Sequence, residues 1–246
     1  MSGRLAVVGI GPGSPEQLTQ AAVKELSAAE LLIGYRGYLA QLPADLAPGR
    51  REAFGLGEER ARARRAVAAA SEGMRVALVS GGDAGIYGTA SLAIDETVAF
   101  GEGAPPLVVV PGVTAAVAAA ALVGAPLAVD FACLSLSDLL LPRSELLAKI
   151  DALAAANIVL VLYNPASRSR REPWEAAVAS VQRHRARATP VVAVRRAYRE
   201  GQAVELCDVD GMTRLQVDME TVVIVGSSHT RQHRGWLYTL RDEALR

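Results

Sequence analysis

Apolar residues follow two rhythms along this chain. Short unbroken runs at residues 4–10, Leu31–Tyr35, 76–79 and Leu107–Val110 read as strands buried on both faces. Between them the apolar positions recur at helical spacing. Leu18, Ala22, Leu26 and Ala29 form one stripe, in a helix that opens at the capping sequence Ser14-Pro15-Glu16-Gln17 or nearer Thr19. Residues 58–72 form a second helix, with acids first and Gly73 behind it. A third is expected at about residues 89–100. Such alternation of strand and helix predicts a largely parallel sheet.

The second half has a different texture. Residues 131–136, 158–163, 191–194, 203–207 and Thr221–Val225 read as strands. Pro142 opens a helix that turns Leu146, Leu147, Ile150 and Leu153 to one face, and Trp174, Ala177, Val178 and Val181 mark another. Arg199-Glu200-Gly201-Gln202 predicts a hairpin turn, so antiparallel pairs are expected here. The fold class is therefore α/β in two domains. An N-terminal domain of residues 1–124 has a mainly parallel sheet, and a C-terminal domain of residues 125–246 has a mixed sheet with helices.

Composition narrows the function. With 26 basic and 26 acidic residues the formal net charge is zero, which argues against a nucleic-acid partner. Only Lys24 and Lys149 are lysines, and arginine suits bidentate carboxylate binding. Cys133 and Cys207 lie in strand-like runs without metal spacing and read as reduced core thiols of a cytoplasmic protein. The N-terminus has no basic, then apolar, leader pattern. Residues 103–129 lack charge, but Pro111-Gly112, Gly124 and Pro126 divide them into strand, turn and small-residue helix, so no membrane span is expected. His229 and His233 are four residues apart, without a third ligand; no metal is expected there. His184, at an arginine-rich helix end, is expected to be solvated.

Two glycine loops are candidates for ligand binding. After the strand at 76–79 comes Ser80-Gly81-Gly82-Asp83-Ala84-Gly85-Ile86-Tyr87-Gly88, with four glycines in the last eight residues. Glycine this dense marks a backbone that passes very close to something else. A loop at the carboxyl end of a strand is where open α/β sheets bind ligands, although Asp83 also fits as a helix cap. The first loop, Gly9-Ile10-Gly11-Pro12-Gly13, is not a dinucleotide fingerprint. Its third glycine comes early, and Pro12 removes an N–H that a pyrophosphate would use.

Read in order, these loops join Gly34-Tyr35-Arg36-Gly37-Tyr38, Val110-Pro111-Gly112-Val113-Thr114-Ala115, Gly124-Ala125-Pro126-Leu127, Leu134-Ser135-Leu136-Ser137-Asp138-Leu139-Leu140, Tyr163-Asn164-Pro165 and Thr189-Pro190-Val191. The series resembles the class III tetrapyrrole methylases, S-adenosylmethionine-dependent enzymes of corrin and sirohaem synthesis. The second glycine loop, the Ser-Leu-Ser-Asp-Leu-Leu run and Tyr-Asn-Pro favour the branch that methylates precorrin-3B at C17. The resemblance covers about residues 4–240.

The resemblance implies a two-domain tetrapyrrole methylase fold, a homodimer, and S-adenosyl-L-methionine in the cleft between domains, with S-adenosyl-L-homocysteine as product. Carried over position by position, the cofactor contacts are Pro12, Gly81, Asp83, Ile86, Tyr87, Thr114, Ala115, Tyr163, Asn164, Val192 and Ala193. Taken singly, Thr114-Ala115 also reads as helix capping and Asn164-Pro165 as a turn. The implied reaction methylates a precorrin, contracts its macrocycle and leaves an acetyl group in cobalamin biosynthesis. Methyl transfer to an electron-rich pyrrole carbon needs alignment above all. The rearrangement moves protons, for which Ser135, Ser137 and Asp138 are candidates; Ser137 or Asp138 serves equally as a helix cap. Arg36, Arg143, Arg168, Arg170 and Arg171 lie in loop-like segments and are candidates for clamping substrate carboxylates, against the plain reading of solvated surface. The chain departs from the family pattern at Ala84, at Leu141-Pro142-Arg143, at Gly226-Ser227-Ser228, and in a tail from Tyr238 that runs into a charged, helix-like stretch. Rival readings are a sister methylase acting at another ring carbon, and a non-catalytic nucleotide-binding α/β protein.

Overall fold

The apolar run at the N-terminus becomes β1 (Arg4–Gly9), flanked by parallel partners on both sides and buried along five of its six residues. The structure is a computed structural model describing residues 3–139, 141–167 and 170–241. It divides into two compact units, Met1–Ala115 and Ala116–Arg246. The division falls in the first turn of a helix, ahead of the break at Gly124.

In the first unit, Ser14 caps a short 3-10 turn, Pro15–Gln17, and Thr19 caps α1 (Gln20–Ala28) through a bond from the Ala22 N–H. Both capping signals are used, on separate elements. Then come β2 (Leu31–Tyr35), α2 (Arg36–Leu39), β3 (Arg50–Phe54), α3 (Glu59–Ser71), β4 (Arg75–Ser80), α4 (Ala90–Phe100) and β5 (Leu107–Val110). The sheet order is β3-β2-β4-β1-β5 and every pair is parallel. Successive side chains of a strand point to opposite faces. Leu5, Val7, Leu31, Ile33, Val76 and Leu78 meet α3 and α4, whereas Ala6, Val8, Leu32, Ala77 and Val79 meet Ala22 and Leu26 of α1 and Leu39 of α2. Helices therefore cover both faces, which explains why these strands are apolar without alternation.

The second unit contains α5 (Ala115–Val123), β6 (Gly124–Ala125), β7 (Phe131–Ser135), α6 (Arg143–Ala155), β8 (Val159–Tyr163), α7 (Glu172–His184), β9 (Pro190–Arg195), β10 (Ala203–Asp208), β11 (Thr221–Val225), β12 (Thr230–His233) and β13 (Trp236–Thr239). Its main sheet has the order β10-β9-β11-β8-β7, parallel only between β7 and β8. Leu160, Leu162, Val191, Ala193, Val223 and Val225 pack with Leu146 and Ile150 of α6 and Trp174, Ala177, Val178 and Val181 of α7. The chain turns from β9 to β10 through the expected 199–202 segment, where Gln202 N–H bonds Arg199 O.

The charged, helix-like end expected for the tail lies beyond Arg241, outside the described residues. Tyr238 and Thr239 belong to β13, which pairs with β12 as a hairpin and with β6 in parallel. Thr239 Oγ1 donates to Pro126 O at 2.7 Å and lies 3.0 Å from Thr230 Oγ1, so buried hydroxyls hold the strand end. The uncharged stretch is divided among β5, α5 and β6, and among the described residues no helix is long and apolar enough to cross a membrane. Cys133 in β7 and Cys207 in β10 are unpaired. Burial raises both thiols, and with Asp208 and Glu205 nearby it takes Cys207 to about 11.

His184 is not simply solvated: its Nε2 is 3.0 Å from Asp151 Oδ1. The same oxygen accepts from Ser180 Oγ at 2.8 Å and pairs with Arg183, so one carboxylate of α6 collects three groups of α7. These bonds, Arg183 first, hold the Asp151 carboxyl well below the usual carboxylate range. A depressed folded-state pKa gives stability that is present above the unfolded value, near 4, and lost as pH falls below it. Urea unfolding from about pH 5 to about pH 3 is therefore expected to show a smaller loss of stability in Asp151→Asn than in the unaltered protein. Equal slopes would remove Asp151 from the acid response.

Candidate functional site

In the first unit, β1 sends its connection over one face of the sheet, past β4, to β2. β4 sends its own over the opposite face, past β1, to β5. The two strands are neighbours whose loops diverge, which is the topological switch point where open parallel sheets bind ligands. Both glycine loops leave from it.

The glycines meet each other there. Gly11 and Gly82 form a two-bond bridge, N–H to O at 3.0 and 2.8 Å. A Cβ on Gly112 would lie 2.2 Å from Gly82 O and 2.7 Å from the Gly9 carbonyl carbon. A Cβ on Gly81 would lie 2.5 Å from the Tyr38 ring, and one on Gly88 2.4 Å from Ala84 O. Close approach is thus required, as the sequence says, but the partners that demand it are other loops of this unit. Gly81 is backed by Tyr38 on the side where a side chain would start.

Asp83 completes the knot. Its Oδ1 accepts from Gly85 N–H at 2.8 Å and Ile86 N–H at 3.1 Å, and its Oδ2 from Gly112 N–H at 3.0 Å. The carboxylate shapes its own loop and ties it to the loop after β5. Beyond it Ile86 and Tyr87 are 41% and 53% exposed, with Tyr87 in a left-handed conformation at φ 53°. Pro12 lies between Gly11 and Gly13, both at positive φ, and Thr114 immediately precedes Ala115, the first residue of α5. Arg36 is exposed at the start of α2.

In the second unit the carboxyl ends of β7, β8 and β9 share one edge of the sheet. Ser135 and Tyr163 are register partners there. Tyr163 is buried, and its hydroxyl accepts from Ala116 N–H of α5 at 2.9 Å. Asn164 follows at φ 51° and donates its Nδ2–H to Ser135 Oγ at 3.0 Å. Ser137 N–H reaches the same oxygen at 3.3 Å. The Arg170 guanidinium donates to Leu136 O and, at 3.3 Å, to Asn164 O, and lies 3.7 Å from Asp138. Ser135, Ser137, Asp138, Asn164 and Arg170 therefore form one cluster.

The remaining candidates divide. Arg143 is paired with Glu172 at 2.6 Å and Arg171 is exposed at the start of α7, while Arg168 lies outside the described residues. Val192 and Ala193 are buried in mid-strand with register partners on both sides. The ladder ends at Arg195, and beyond it Arg196 and Tyr198 both have left-handed backbones, at φ 50° and 58°. That turn is the positive-φ segment at the carboxyl end of this strand. Sequence reasoning passed over it because neither residue is of a type that marks positive φ.

These features define an α/β protein with a doubly wound parallel unit and a mixed-sheet unit. The chain belongs to the tetrapyrrole (corrin/porphyrin) methylases, whose family model matches residues 4–212. A probable cobalt-factor III C(17)-methyltransferase of Salmonella typhimurium is 38% identical over 98% of this chain and 100% of that protein. A precorrin-3B C(17)-methyltransferase of Sinorhizobium sp is 38% identical over 94% of this chain and 91% of that one. A cobalt-factor III methyltransferase of Priestia megaterium is 36% identical over 94% of this chain, which spans only 43% of that longer relative. Among solved structures, the methyltransferase CobJ superposes with a TM-score of 0.90 at 31% identity, covering 97% of this chain and 100% of that one. A uroporphyrin-III C-methyl transferase of Thermus thermophilus, solved with S-adenyl homocysteine, shares the fold at a TM-score of 0.69 and 24% identity, over 91% of this chain and 97% of that one.

The knot at the switch point generates a prediction. Asp83→Ala leaves three backbone N–H groups without their acceptor and is expected to cost about 1–3 kcal/mol in urea unfolding. Asp83→Asn, which keeps one carbonyl oxygen, is expected to cost less. A silent Asp83→Ala would contradict the structural role given to the carboxylate.

Proposed function

We propose that this protein transfers the methyl group of S-adenosyl-L-methionine to C17 of a precorrin, or of its cobalt-containing equivalent, with contraction of the macrocycle. S-adenosyl-L-homocysteine is the second product. The observation that carries this reading is end-to-end correspondence: 38% identity with the Salmonella relative along its whole length. The residues at the switch point fit such a donor. Ile86 and Tyr87 present an exposed apolar surface beside the glycine bridge, suited to adenine and a methionine chain.

When bound, the sulfonium supplies an electrophilic methyl group. The substrate carbon is an electron-rich, enamine-like nucleophile, so the chain's chief task is to fix two molecules in line. Within the first unit, Pro12, Ile86, Tyr87, Thr114 and Ala115 are the proposed donor contacts. The substrate's acetate and propionate groups need cationic partners. Among the described residues Arg36 and Arg171 have no side-chain bond, which suits them to carboxylates better than the paired Arg143 and Arg170. A homodimer is the proposed assembly, and the two unpaired cysteines accord with a reducing, cytoplasmic setting.

The test is incubation with methyl-labelled donor and either metal-free precorrin-3B or its cobalt form, followed by mass and NMR analysis. Label at C17 together with a new acetyl group is expected with one of the two substrates. Label at another carbon would assign the protein to a sister reaction. Donor binding without turnover would make it a non-catalytic nucleotide binder. Light scattering after size exclusion is expected to give twice the chain mass of 25.8 kDa; a monomer would overturn the proposed assembly.

A further inference from the structure

A serine hydroxyl has one proton to give and two lone pairs to receive. At Ser135 both lone pairs are taken, by Asn164 Nδ2–H at 3.0 Å and by Ser137 N–H at 3.3 Å. No described residue accepts the Ser135 proton. The hydroxyl stands at the carboxyl end of β7, in register with Tyr163. No histidine bonds it, and Asp138, the nearby carboxylate of the same run, faces Arg170.

We infer that the Ser135 hydroxyl is a hydrogen-bond donor to a carbonyl-type oxygen of the tetrapyrrole, and that Arg170 is the positioning residue that makes it one. The inference rests on the methyltransferase reading above and replaces an acid–base role for this serine. With both lone pairs occupied, Ser135 has none left to take up a proton, and the two incoming bonds polarise its O–H and strengthen it as a donor. Its proton has one direction left, away from Asn164 and Ser137. The acetyl carbonyl that appears only as the macrocycle contracts is an oxygen of the matching kind, met after substrate has bound.

Arg170 fixes the geometry from behind. Its guanidinium bonds Leu136 O, in the loop that carries Ser137, and Asn164 O, in the loop that carries the amide. With 13% of its side chain exposed, it is held as a brace between the two loops. The left-handed backbone of Asn164 is the bend that brings the amide back over Ser135. The Met219 Sδ lies 3.5 Å from the guanidinium.

Steady-state kinetics with labelled donor and precorrin test this. Ser135→Ala is expected to lower kcat about 100-fold, the scale of one lost donor at a developing oxyanion. KM, S-adenosylhomocysteine affinity by calorimetry and the unfolding midpoint should change little. Ser135→Thr should recover most of the rate. Ser135→Cys, of similar shape but a weak donor, should not. The pH profile of kcat should keep its shape in Ser135→Ala and fall only in height. Arg170→Met should reproduce the kcat loss, and the double variant should be no slower than the slower single one, because both act through the same hydroxyl. Full turnover by Ser135→Ala, loss of the acid limb of its pH profile, or a Ser135→Cys enzyme as fast as the unaltered one would overturn the donor role alone. Additive losses in the double variant would overturn the role of Arg170. Absence of turnover in the unaltered protein would overturn the functional reading and this inference with it.

Discussion

Gly9, Gly11, Gly82 and Gly112 approach one another so closely that no Cβ fits at Gly9 or Gly112, and the loops of three strands have to be built around that contact. The sheet order explains the crowding. β4, β1 and β5 are neighbours at the switch point, so their three exits leave one short stretch of sheet edge together. Spread apart, they would leave a crevice with unpaired backbone groups on both walls, at a cost for each group shielded from water. The Gly11–Gly82 bridge pairs two of these walls, and Asp83 brings in the third through Gly112 N–H. The result is a closed glycine floor at this edge, followed by the exposed Ile86 and Tyr87.

The second unit solves the same problem by other means. Residues 136–142 and 164–171, which follow β7 and β8, contain no glycine. Side chains bridge the gap instead: Arg170 spans the loops after β7 and β8, and Asn164 crosses to Ser135. The result is a polar edge fixed by charge-assisted bonds, where the first unit has a tight and largely apolar one.

Much of this was legible in the sequence. Strands buried on both faces announce themselves by unbroken apolar runs, which is why β1, β2, β4 and β5 were readable within a residue or two. β3 was not, because it is an edge strand whose Arg50, Arg51 and Glu52 carry the charge that edge strands bear against unwanted pairing. The β12–β13 hairpin was hidden for a related reason: its strands have four residues each and three of the four in β12 are exposed, so no apolar run exists to see. The loops were legible as places, since glycine density and order along the chain identify them. Their internal bonding was not. Whether Asp83 faces a ligand or a loop depends on where Gly112 lies, 29 residues away, and nothing local encodes that distance.

Counting bonds divides the candidate residues more sharply than residue type does. Asp83 has three backbone N–H groups on its oxygens, Arg143 is held by Glu172, and Val192 and Ala193 have their backbone in the sheet. For each, the structure supplies partners enough to account for the residue without a ligand. Ser135 is the opposite case, with its acceptor capacity filled and its proton unassigned. Buried or half-buried polar groups find partners in nearly all folded proteins, so a donor left over inside a braced cluster takes its partner from water or from a ligand. Both kinds of residue stand among the candidate segments read from the sequence, and sequence order cannot tell them apart. The directed bonds of the loops can, because a hydrogen bond has a sense as well as a length.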